Sequence, residues 1–223
     1  MITQMKNHSR CNEQRLLVAA VALLLLLSCA ACGRRSSTPL AEPLFYKTDL
    51  TRFAAIDMSD YDAWEEAKAQ AAERGAQPES LFVDVTVADA QKLLEEKATF
   101  VWFASFSECP WCNAVLPYLT QAAAENSCRI GVLDTRKDPA WKNNTEIDDY
   151  DLFLELCGEY LDTDEEDKPH LYVPHVFFIR NGEVVYQHQG ALPEMGDDPH
   201  MALSEEQKEA LTDIFREGFR QIR

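Results

Sequence analysis

Residues 99–105 read TFVWFAS, with five consecutive apolar residues from Phe100 to Ala104. A run this short, rich in aromatic and β-branched side chains, predicts a strand rather than a helix. It has no polar alternate positions, so neither of its faces can meet water. A strand buried on both faces needs a sheet with helices packed on either side. Four residues later Cys109-Pro110-Trp111-Cys112 begins a helical stretch that runs to Glu125. Pro110 stands in the first turn, where its missing N–H costs nothing. Pro117 falls inside the same helix and is expected to kink it.

The flanking segments repeat this strand-then-helix rhythm. Leu81–Thr86 (LFVDVT) alternates and predicts a strand, and Ala88–Lys97 (ADAQKLLEEK) a short amphipathic helix. Arg129–Asp134 (RIGVLD) predicts a third strand and Tyr150–Leu161 a helix, with a polar loop over 136–149 between them. Val173–Arg180 (VPHVFFIR) predicts a strand entered through Pro174. Asn181-Gly182 is a strong two-residue hairpin signal, and Glu183–Gln189 (EVVYQHQ) is the returning strand. Ser204 opens a closing helix to Arg220, with Gln207 placed for a capping box. Helical connections make the early strands parallel, and the tight hairpin makes the last pair antiparallel. The expected class is α/β, with a central mixed sheet flanked by helices over residues 81–223.

Ahead of this domain the chain divides into three parts. Lys6, Arg10 and Arg15 precede an apolar run from Leu16 to Leu27, followed by small residues and cysteines through Gly33. A basic segment, a short apolar core and a small-residue site predict a secretory signal peptide over 1–32. The apolar run is short for a bilayer span of about 20 residues, although an uncleaved N-terminal anchor helix is the alternative. Small residues abutting a cysteine resemble a bacterial lipoprotein signal, with Cys29 or Cys32 as the lipidated residue. That resemblance implies an extracytoplasmic protein attached to the membrane by its N-terminal lipid. Residues 33–57 have no clear period and predict a tether that becomes ordered toward its end. Residues 58–80 predict an N-terminal helical extension, with Ser59–Asp62 capping a helix over Ala63–Arg74 and Gly75 ending it.

The spacing of Cys109 and Cys112 brings two thiols together as a helix begins. Unpaired N–H groups and the helix dipole at that point favour a thiolate. Cys109 is then the expected exposed attacking thiol, with a depressed pKa, and Cys112 the resolving thiol one turn deeper. Glu108 acts the other way, raising the neighbouring thiol's pKa by like-charge repulsion. Trp111 is the expected exposed contact for a substrate or partner. The same spacing also suits half of a zinc site, with Cys128, Cys157, His170 or His175 as further ligands, or a static disulfide.

Cys-X-X-Cys after a buried strand, then Val173-Pro174, then the VFFIRNGEVV hairpin resembles the thioredoxin-like family over residues 81–223. That resemblance implies a thioredoxin fold and thiol–disulfide oxidoreductase activity on protein or peptide thiols and disulfides, with a separate redox partner protein. No organic cofactor and no metal is implied, since the cysteine pair is the redox centre. It also implies a cis peptide before Pro174 and a substrate groove shaped by Pro174 and the backbone of Val173. FASFSECPWCNAVLPYL followed by GVLDTRKD is similar, more narrowly, to thioredoxin-like bacteriocin transport accessory proteins. Two departures from thioredoxin itself stand out. The residues between the cysteines are Pro-Trp rather than Gly-Pro, and Phe103 stands where thioredoxin has a buried Asp that accepts the resolving thiol's proton. A non-catalytic binding or assembly factor for peptide or protein export is the alternative function.

The remaining candidates are weaker. Cys128 and Cys157 are core thiols or a structural disulfide, and His175 is an ordinary strand histidine rather than a functional one. Asp162, Asp164 and Glu166 sit at calcium-loop spacing but lack the Gly and distal Glu of an EF-hand, so a solvated acidic loop is expected. Asn143-Asn144-Thr145 is a glycosylation sequon with no weight in a bacterial lipoprotein. The formal charge is −17, from 21 basic and 38 acidic residues. Beyond residue 32 the balance is 18 against 37, a net −19. Such a chain lacks the basic surface of a nucleic-acid binder and gains nothing from anionic lipid by charge alone.

Overall fold

The buried run at 99–105 becomes the central strand of a five-stranded mixed sheet. In the computed structural model residues 50–136 and 150–223 are described. The signal segment, Cys29, Cys32, the tether up to residue 49, most of the 136–149 loop and the sequon lie outside them. Five strands, β1 (Phe82–Asp84), β2 (Phe100–Ser105), β3 (Ile130–Asp134), β4 (His175–Arg180) and β5 (Glu183–Gln189), stand in the order β1-β3-β2-β4-β5. β3 runs parallel to both β1 and β2, while β4 is antiparallel to β2 and to β5. Every residue of β2 is buried, as an all-apolar central strand requires.

Helices α1 (Trp64–Glu73), α2 (Val87–Glu95), α3 (Pro110–Glu125), α4 (Tyr150–Cys157) and α5 (Glu205–Gln221) cover both faces. Alternate side chains of each strand supply the two cores. Val101, Phe103, Val176 and Phe178 pack with α1, α3 and α5. Phe100, Trp102, Phe177 and Ile179 pack with α2 and α4. Trp102 donates its indole N–H to the Val85 carbonyl at 3.0 Å, so this large buried ring leaves no polar atom unmet. Ala67 and Ala71 of α1 face α3, where their small side chains allow a close approach. No helix among the described residues is long and apolar enough to cross a membrane.

Several boundaries differ from the sequence expectation for identifiable reasons. The first strand is Phe82–Asp84 rather than Leu81–Thr86, because Thr86 leaves the ladder to cap α2 in a capping box with Asp89. That helix spans Val87–Glu95 rather than Ala88–Lys97, and Lys97 adopts a left-handed conformation just beyond it. The helix expected over Tyr150–Leu161 is α-helical only to Cys157 and continues as a 3-10 turn, Gly158–Tyr160. β4 begins at His175, since Pro174 has no N–H for the ladder. α1 begins at Trp64, and Ala63 at its N-cap carries no side-chain cap, so Ser59–Asp62 do not play the expected part. Asn181 and Gly182 both have positive φ (54° and 80°), the type I′ turn expected between β4 and β5. Ser204 and Gln207 form the expected capping box of α5. α3 runs through Pro117 without interruption.

The end of the tether is ordered on the sheet. Leu50 is buried, and Ala55 bridges Val83 on the edge strand β1. Cys128 belongs to the core on one face and Cys157 to the core on the other, so the sheet separates them and they form no disulfide.

Candidate functional site

The loop between β2 and α3 presents Cys109 as the N-cap residue of a 16-residue helix. Its extended backbone (φ −73°, ψ 112°) turns the side chain back over the first turn, the geometry of a Ser or Asp cap. The Cys112 backbone N–H donates to Cys109 Sγ at 3.1 Å. A sulfur in the capping position receives the partial positive charge of the helix N-terminus, which favours thiolate over thiol.

The two thiols differ sharply in electrostatics. The Cys112 thiol donating to the Cys109 sulfur is the largest influence holding the Cys109 pKa below its ordinary value. Burial opposes it, while the backbone N–H groups of Cys112 and Trp111 and the charge of Arg136 add to it. The rise expected from Glu108 does not appear: its carboxylate is exposed and accepts from the Ser107 hydroxyl at 3.0 Å. Burial pushes the Cys112 thiol well above its ordinary range, and its engagement with Cys109 pushes it further. One thiol is thus set to ionise and the other to hold its proton. Arg136, two residues past the end of β3, stacks its guanidinium over the Phe106 ring at 3.7 Å.

The sequence expectations for this site are met in part. Val173 and Pro174 come to the same place as the cysteines, joined by a cis peptide. The Cys109 Sγ lies 4.0 Å from the Val173 carbonyl oxygen. Cys109 itself is only 3% exposed, not the open thiol expected. It packs into the core beside α3, with Trp111 and Val173 partly buried against the same cluster. Trp111 is accordingly half-buried rather than an exposed contact. Phe103 fills the core as sequence predicts, leaving no carboxylate at that position on β2.

Three polar residues at the site escaped the sequence reading. The Tyr61 hydroxyl, from the N-terminal extension, is buried at 2.7 Å from Ser105 Oγ at the end of β2. Burial raises the Tyr61 pKa, so its phenol stays protonated. The carboxamide of Asn113 donates to the carbonyls of Ser107 (2.7 Å) and Cys109 (3.0 Å) and accepts from the Ala63 N–H (2.9 Å). These contacts span 44 and 50 residues of sequence, which no local pattern reports. The one available signal is Asn113 itself, a poor helix former in the first turn of a helix, where such a side chain usually bonds to backbone.

The other candidates lie elsewhere. His175 is buried on the opposite face of the sheet, stacked on Phe177 at 4.2 Å, and burial lowers its pKa to about 4. Burial pushes the Cys157 thiol up to about 12, an inert core sulfur at neutral pH. Asp164 Oδ1 accepts the backbone N–H groups of Glu166 and Lys168 and folds its own acidic loop. Among the described residues no three His, Cys, Asp or Glu side chains gather as a metal site. The chain matches no protein-family model, and no curated protein matches it significantly.

Proposed function

We propose that the chain is a thiol–disulfide oxidoreductase of the thioredoxin-like class, with Cys109 and Cys112 as its redox pair. The observation that carries this reading is the Cys109 sulfur capping α3, with the Cys112 N–H donating to it at 3.1 Å and a protonated Cys112 thiol behind it. The strand order and the cis Val173–Pro174 peptide beside the cysteines agree with a thioredoxin fold. In the reducing direction the Cys109 thiolate attacks one sulfur of a substrate disulfide. A mixed disulfide forms, and the other substrate sulfur leaves as a thiolate and takes a proton from water. Cys112 then attacks Cys109 Sγ as its proton passes to the second substrate sulfur. The Cys109–Cys112 disulfide forms and the second substrate sulfur departs, so that two electrons and two protons have passed to the substrate. The reverse sequence oxidises a substrate dithiol. Trp111, Val173 and Pro174 frame the groove in which the substrate polypeptide lies. A lipid on Cys29 or Cys32, the expectation from the lipoprotein-like N-terminus, would anchor this chemistry on the extracytoplasmic side of the bacterial cell membrane, with a separate redox protein to recycle the pair.

The near-complete burial of Cys109 favours a second reading, a non-catalytic binding or assembly factor for export built on the same fold. Measuring the reduction potential of the pair in graded thiol buffers separates the two. A reversible two-electron transition is expected. A value near about −270 mV would mark a reductase, and one near about −120 mV an oxidant. No transition, together with an unchanged phenotype in the Cys109→Ser/Cys112→Ser double variant, would leave only the binding reading.

A further inference from the structure

We propose that Asn113 is a positioning residue of the thiol pair, through which residues 61–63 of the N-terminal extension set Cys109 over the start of α3. The inference rests on the oxidoreductase reading for its purpose, though not for its geometry.

The loop from Ser105 to Cys109 has to hold the sulfur within reach of the Cys112 N–H. It is tied at both ends to the same three residues of the extension. At one end Ser105 Oγ meets the Tyr61 hydroxyl at 2.7 Å. At the other, the Asn113 carboxamide holds the carbonyls of Ser107 and Cys109 with its two N–H bonds, while its oxygen accepts the Ala63 N–H. The amide orientation is fixed by these partners. Reversed, its oxygen would face two carbonyls and its NH2 would face an N–H donor. α1 has no side-chain cap of its own, so Asn113 also serves the start of that helix from across the interface. One side chain therefore joins the entry of α1 to the carbonyl of the nucleophile.

The hydrogen bonds of Asn113 and Tyr61 go to Ser105, Ala63 and the Ser107 and Cys109 carbonyls rather than to a cysteine sulfur, so their effect passes through the backbone of the loop. If the loop relaxes, the Cys109 sulfur moves off the helix N-terminus and its thiolate loses support. The groups that otherwise tune this thiolate are the Cys112 thiol, the N–H groups of Cys112 and Trp111, and Arg136, none of which is altered by substituting Asn113 or Tyr61.

The test is the pH profile of Cys109 alkylation by iodoacetamide in the reduced protein, followed with the chain otherwise intact. Asn113→Ala is expected to move the profile up by about one pH unit, the worth of roughly one hydrogen bond. At pH values below the wild-type midpoint that is about a tenfold slower reaction. Tyr61→Phe keeps the buried ring and removes only the hydroxyl, and it is expected to move the profile in the same direction by a smaller step. Gly218→Ala, on α5 away from the site, serves as a destabilised control and is expected to leave the profile alone. A wild-type profile in either test variant, or an equal shift in the control, overturns the proposal. If the shifts appear in a protein that exchanges no disulfides, the positioning role stands and the oxidoreductase reading falls.

Discussion

Replacing Cys112 by Ala removes the thiol that contributes most to depressing the Cys109 pKa. A hydrogen bond to a charged group contributes about 1.5–3 kcal/mol. A thiol is a weak donor, which puts this one at the lower end. At about 1.4 kcal/mol per pH unit, the Cys109 pKa should rise by about one unit in Cys112→Ala. Below the wild-type midpoint the thiolate fraction, and with it the alkylation rate, should then fall about tenfold. Cys112→Ser is the informative companion, because its hydroxyl is still a donor in nearly the same place. Its profile should stay close to that of the wild type. The assay is stopped-flow alkylation of the reduced protein across pH, with absorbance of the thiolate as a second readout. Identical profiles for wild type and Cys112→Ala would refute the reasoning, leaving the thiolate to the backbone N–H groups and Arg136. The same depressed pKa has a consequence for stability. The Cys109 thiolate stabilises the reduced fold above the unfolded thiol pKa of about 8.5, and this contribution is lost as pH falls through the lower folded value.

Other outcomes follow from the packing and the charges. Glu125 accepts from Arg216 Nε and Nη2, both at 2.8 Å, and that pairing holds its carboxyl down to about 2. Its contribution to stability is present above about pH 4.3 and lost as pH falls toward 2, so urea midpoints of Glu125→Gln should flatten in that window. His175 stays neutral in the fold down to about pH 4, whereas the unfolded ring takes a proton near pH 6.5. Stability should therefore fall as pH drops from about 6.5 to 4, and His175→Phe should lose part of that slope; an unchanged slope would count against burial as the cause. A Cβ on Gly218 would run into the Phe178 ring, so Gly218→Ala should cost about 1–3 kcal/mol in denaturant unfolding. No loss would mean that α5 lifts away from the sheet at little cost.

Much of the architecture was legible in the chain because it is locally encoded. The all-apolar run at Phe100–Ala104 demanded a central strand covered on both faces, and β2 is that strand. Asn181-Gly182 and Ser204 with Gln207 carry their turn and cap in adjacent residues, and both formed as expected. Cys109-Pro110-Trp111-Cys112 announced a thiol pair at a helix start, since a two-residue spacing and a proline in the first turn are themselves local statements. Sequence misjudged what depends on neighbours far along the chain. It took Cys109 for an open thiol, whereas the surrounding core leaves it 3% exposed. It gave α1 a cap from Ser59–Asp62, whereas the partner is Asn113, 50 residues away. It left Cys128 and Cys157 free to pair, whereas Cys128, just after α3, and Cys157, at the end of α4, pack into the cores on opposite faces of the sheet. Periodicity, caps and turns are short-range consequences of backbone geometry, so they can be read along the chain. Burial, amide partners and the sharing of charge between two thiols arise only when distant segments pack together, and that packing is what the tertiary structure decided.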